Sequence, residues 1–166
     1  MKFKKIAALF AACFMSAVTA PSFASHKVDI SGYEGLVNAL RNGYTVHAVI
    51  DVDKCKYIKG SNDWNEKTLG FRIEDIYERV AADLVTGKKM RLIASSWHDY
   101  VGNEKEAYIS RALLRVFENG SVEVIGQSFS MPQGKMIDMS AMSCRLSKDG
   151  SGGVNLIYRA HGPAGG

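Results

Sequence analysis

Four methionines, Met131, Met136, Met139 and Met142, fall within twelve residues. Such clusters can hold Cu(I) through soft thioether sulfur. On an extended strand, however, Met136 and Met142 share one face while Met139 points to the other, so three sulfurs do not converge. Methionine also fills ordinary cores and lines adaptable apolar pockets, and these are the readings favoured here: Met136 and Met142 are core or pocket-lining residues, and candidates for contact with a ligand or partner rather than metal ligands. A second group, His98 and Asp99 with Ser95 or Ser96, has the residue types of a hydrolytic triad. Yet no G-x-S-x-G elbow precedes a helix, and adjacent residues of one strand face opposite ways. A strand-end histidine serving a hydrogen bond is the favoured reading of His98; it and its neighbour Trp97 are kept as candidates for contact with a ligand or partner, and no catalytic residue is assigned. His47, Asp51 and Asp53 could begin a metal site, but only three ligands appear, Lys54 and Lys56 flank them, and no glycine stands where a calcium loop needs one. They read as a charged strand end. Neither a metal nor a cofactor is expected. Trp64, Trp97, Tyr100, Tyr108, Phe117 and Phe129 could line a pocket in a curved sheet or simply fill a small β core.

The elements that must position these side chains are mostly strands. One helix is expected: Ser31-Gly32-Tyr33-Glu34 has the form of a capping box, Tyr33, Leu36, Val37 and Leu40 share a face, and Gly43 can close the end. The period then changes to two. Val46, Ala48, Ile50 and Val52 alternate with His47, Val49 and Asp51, and Met90, Leu92 and Ala94 with Arg91, Ile93 and Ser95. Long strands are expected over 107–118 and 121–130, joined at Asn119-Gly120 by a turn in which both central residues take positive φ. Further strands are expected over 135–146 and 154–160. Residues 73–85 are ambiguous: Ile73, Ile76, Tyr77, Val80, Leu84 and Val85 have helical spacing, whereas Thr86-Gly87-Lys88-Lys89 could be a hairpin turn. The resulting class is α+β, mainly β: an N-terminal helix on an antiparallel meander of six or seven strands, either open or closed into a small barrel.

The N-terminus sets the compartment. Lys2, Lys4 and Lys5 precede an apolar run from Ile6 to Val18, and Ser22-Phe23-Ala24 offers small residues where a signal peptidase cuts. Cleavage after Ala24 is preferred over Ala20, which would leave Pro21 just past the cut. The run is too short for a bilayer span, which needs roughly 20 residues, so a retained anchor is disfavoured. Phe10-Ala11-Ala12-Cys13 resembles a lipobox, but Phe replaces the usual Leu and the apolar run continues past the cysteine. One domain over 25–162 and a flexible tail, 163–166, remain, with no transmembrane segment in the mature chain. Loss of three lysines lowers the formal charge from +4 to +1, and no basic run survives to suggest nucleic-acid binding. Cys13 leaves with the leader, and Cys55 and Cys144 remain. In an exported protein such a pair reads first as a disulfide, with two buried free thiols as the alternative.

Leu36-x-x-x-Leu40-x-x-Gly43-x-x-Val46 followed by Val49-x-Asp51-x-x-x-Cys55 resembles the opening of the bacterial VirK family. Ile73-x-x-x-Tyr77, Ser95-Ser96-x-His98, Asn119-Gly120 and Cys144 continue the likeness over most of the mature chain. Residues 78–89 depart from it, being longer and more helical than a simple strand-turn-strand. The resemblance implies an exported, virulence-associated protein of a Gram-negative bacterium, periplasmic or secreted, without an established activity, and it supports the paired cysteines and the β-rich fold.

Export, a stapled β scaffold, a Met-rich strand and the lack of a convergent acid, base or nucleophile together lead to a non-enzymatic accessory protein. It is expected to bind a hydrophobic small molecule or a protein segment at a concave face. The alternative is an export chaperone or envelope adaptor without a pocket, pairing with an envelope protein at a sheet edge.

Overall fold

The computed structural model describes residues 26–60, 67–102, 107–131, 133–147 and 151–160. The leader with Cys13, the C-terminal tail and Trp64 lie outside the described residues.

The chain runs β1 (His26–Ile30), α1 (Gly32–Arg41), β2 (Val46–Asp51), a short 3-10 turn (Val52–Lys54), β3 (Lys56–Lys59), β4 (Thr68–Ile73), β5 (Glu78–Ala82), β6 (Lys89–Gly102), β7 (Ala107–Phe117), β8 (Ser121–Ser130), β9 (Met136–Arg145) and β10 (Val154–Ala160). These ten strands form two antiparallel sheets, one ordered β1-β10-β2-β4 and the other β3-β9-β8-β7-β6-β5. Each described sheet has two distinct edges, so no closed barrel is found. The expected meander is real from β5 to β9. It is incomplete because the first strand, β1, pairs with the last, β10, while β3 and β4 separate onto different sheets.

Alternation decides the faces of the larger sheet. Ile93, Leu114, Val116, Val122, Val124, Met142 and Cys144 point into the main core, where they meet Val46, Ala48 and Ile50 of the smaller sheet and the buried helix residues Tyr33, Leu36, Val37 and Leu40. The intervening residues form an outer face that carries a small second core, Met90, Leu92 and Phe117, and the buried Glu123 and Ile125 beside it.

Local signals were read with mixed success. The helix ends as a Schellman motif: Gly43, at φ 76°, donates to Leu40 C=O at 2.9 Å, and Tyr44 donates to Ala39 C=O at 3.1 Å. The capping box does not form. Ser31 makes no side-chain cap, and Glu34 turns to Arg91 on β6, 3.6 Å away. The Asn119-Gly120 hairpin exists, but only Gly120 takes positive φ, at 80°. Its N–H bonds to Phe117 C=O at 2.9 Å, so residues 118–120 form a three-residue loop, while Asn119 Oδ1 accepts the N–H of Ser121.

The helical spacing over 73–85 is misleading. Ile73 ends β4, Val80 lies on β5, and Leu84 and Val85 sit in the turn to β6. That turn wins because Asp83 caps it, accepting the N–H groups of Val85 and Thr86 at 2.8 and 2.5 Å as well as the Thr86 hydroxyl. Val80 and Val85, the supposed apolar face, stay exposed.

Candidate functional site

The chain crosses from the smaller to the larger sheet through the 3-10 turn after β2. At its end Cys55 is bonded to Cys144 of β9, 89 positions further along the chain, with S–S 2.07 Å. Lys56 and Tyr57 then pair with Ser143 and Met142. The bond thus ties the crossover to the larger sheet, beside the main core.

Between β4 of the smaller sheet and β6 and β7 of the larger lies a groove of about 600 Å³. One wall is β4, with Leu69 and Phe71; the other is the core face of β6 and β7, with Ser95, Trp97, Ser110 and Ala112. Leu69 and Phe71 lie opposite Ile50 and Ala48, which directs their side chains toward the core. The Lys67 carbonyl bonds back to Val52 N–H at 2.9 Å, so by strand alternation the backbone groups of Thr68, Gly70 and Arg72 point away from β2. One of these, the Arg72 carbonyl, accepts the Ser95 hydroxyl at 2.8 Å. Among the described residues no strand pairs with this side of β4. Trp97 stands beside that edge with 56% of its surface exposed.

The four interaction candidates are not brought together. Trp97 lies on the groove face; His98 lies on the opposite face of β6, against Tyr100, with ring centroids 6.2 Å apart. Met142 is fully buried in the core, opposite Val124. Met136 is half exposed, and a register shift after Ser128 places it opposite Phe129 rather than on the face of Met142. The expectation that Met136 and Met142 share a face is therefore corrected by one bulge at Ile137. The triad types are also dispersed: Ser95 serves the Arg72 carbonyl, Asp99 accepts the adjacent Tyr100 N–H at 2.8 Å, and His98 is on the far face. Among the described residues no group of three or more His, Cys, Asp and Glu side chains could hold a metal ion.

Reading from sequence missed Leu69, Gly70 and Phe71. Their signal was present in the alternation Leu69-Gly70-Phe71-Arg72-Ile73, but it directly adjoined the helix-like spacing that follows.

The family model of the VirK protein matches residues 29–134. This chain belongs to the VirK family. Family membership suggests an association with virulence. The fold agrees with the crystal structure of a VirK family protein from Legionella pneumophila, at 11% sequence identity and a TM-score of 0.53, over 78% of this chain and 98% of that one. No curated protein matches. The disulfide pair and the family are both compatible with an extracytoplasmic protein. Among the described residues no helix is long and apolar enough to cross a membrane.

Proposed function

We propose that this VirK family member is an exported, non-enzymatic accessory protein that captures an extended protein segment along β4, in the periplasm or outside the cell. The observation that carries this reading is the edge of β4 that no described strand pairs with, running beside the exposed ring of Trp97. An added strand would satisfy the outward backbone groups of Thr68 and Gly70 and the N–H of Arg72, and an apolar side chain of that segment would cover Trp97. The walls mix Leu69, Phe71 and Ala112 with Ser95, Ser110 and Arg72. This mixture suits a peptide, which alternates polar and apolar groups, better than a lipid chain.

The test is a photo-crosslinking amino acid in place of Trp97, introduced in the native bacterium, with Val80 on the exposed edge strand β5 as control. A defined protein segment crosslinked at 97 and not at 80 supports the reading. A small apolar molecule recovered by extraction, with no protein adduct at 97, would instead favour a hydrophobic ligand in the same groove.

A further inference from the structure

We infer that the outer face of the larger sheet carries a second site, adjoining the Trp97 groove at Ser96 and Arg111 but without Trp97 in its lining, that takes a phosphate monoester. A groove of about 480 Å³ opens there over β5, β6 and β7. Its floor is neutral, formed by Leu92, Ala94, Ser96 and Leu113, and three arginines surround it: Arg79, Arg111 and Arg115. Among the described residues, no Asp or Glu lines it.

The three guanidinium groups are not equivalent. Arg115 is compensated: Nη1 donates to Glu123 Oε2 at 2.7 Å, and Nη2 donates to the Ala82 carbonyl at 2.7 Å. It forms a wall rather than a receptor. Arg79 is held by a neutral partner, lying 4.2 Å over the Tyr77 ring and donating to its hydroxyl, and it forms no ion pair with a carboxylate among the described residues. Arg111 has His98 and Gln127 as cross-strand neighbours, and neither is acidic.

Two exposed guanidinium groups with no carboxylate partner among the described residues therefore line one groove together with the Ser96 hydroxyl. A dianionic oxyanion matches that charge, and the planar fork of arginine suits it. The neutral floor would carry the body of the ester. The source could be a soluble phosphorylated compound or a lipid headgroup, since both present the same group.

Titration of the mature protein with glucose 6-phosphate, and flotation with phosphatidylcholine vesicles with and without phosphatidic acid, test this and separate the two sources. Binding to at least one probe is expected, weakened about tenfold or more in the Arg79→Ala/Arg111→Ala double variant, and unchanged by Trp97→Ala. Both arginines are exposed, so the double variant should keep the parent's thermal midpoint. Binding to the ester alone assigns a soluble ligand; binding to phosphatidic acid vesicles alone assigns a headgroup. No binding to either probe, binding that the double variant leaves intact, or binding lost on Trp97→Ala would overturn the site.

Discussion

Arg115 Nη1 and Glu123 Oε2 lie 2.7 Å apart across β7 and β8, nearly sealed from solvent at 12% and 1% side-chain exposure. The pair also holds the β5–β6 hairpin down: Glu123 accepts the Leu84 N–H, and Arg115 donates to the Ala82 carbonyl. Burial pushes the Glu123 carboxyl above its usual range, against the opposing pull of the Leu84 N–H and Arg115. Removing the cation should therefore be costly. Arg115→Met is expected to lower stability at neutral pH by about 3–5 kcal/mol, because a buried carboxylate loses its partner. A carboxyl raised in the fold binds its proton more tightly there than in the unfolded chain, so stability is lost as pH rises through its folded value and regained as pH falls. The deficit of Arg115→Met should therefore shrink in mild acid, as read from urea unfolding at the two pH values.

Asp83 behaves in the opposite sense. Hydrogen bonds from the Thr86 side chain and backbone hold its carboxyl below the usual range. Its contribution is present above the unfolded value and fades as pH falls through the folded one. Asp83→Ala should cost about 1–2 kcal/mol at neutral pH, by loss of the turn cap. The deficit should narrow in strong acid, where the parent carboxyl is itself protonated.

The Tyr33 hydroxyl donates to Glu78 Oε1 at 3.2 Å, tying the helix to β5. Burial first, and then the Glu78 charge, push its pKa to about 12. Unfolding releases a phenol that ionises near 10, so this contribution is complete below that pH and disappears as pH rises toward 12. Alkaline titration followed by tyrosinate absorbance should show this late ionisation, and Tyr33→Phe should remove it.

The disulfide closes an 89-residue loop. In the chain-entropy picture, Cys55→Ala/Cys144→Ala should lose about 4–5 kcal/mol, read as a shift in the urea midpoint. An unchanged midpoint under reduction would show that the crossover needs no staple.

Gly60 follows β3 at φ 85°, and a Cβ there would come 2.7 Å from the Met139 carbonyl oxygen. Gly60→Ala is expected to destabilise by about 1–3 kcal/mol, since strain is added to a backbone clash. Thermal unfolding measures it.

The strands with clean alternation were legible: Val46 to Asp51, the long pair 107–117 and 121–130, and Val154 to Ala160 all appear near their expected places. So was the helix, through its buried stripe and its Gly43 stop. What failed depended on tertiary context. The spacing of Ile76, Val80 and Leu84 imitates a helix, but no core faces it, and Asp83 offers a turn instead. Met136 changed faces because of a bulge that no local residue pattern signals. Trp97 and His98 were singled out together, yet adjacency on a strand separates them, and only Trp97 lies at the groove. The opposite wall, Leu69 to Arg72, became visible only once pairing showed which edge of β4 is left open.

Amide hydrogen exchange with a synthetic copy of the segment crosslinked at position 97 tests the capture reading most directly. Strand addition along β4 predicts new protection at the Thr68, Gly70 and Arg72 amides, lost in Trp97→Ala. Tight binding of that peptide with those three amides exchanging as in the free protein would contradict it.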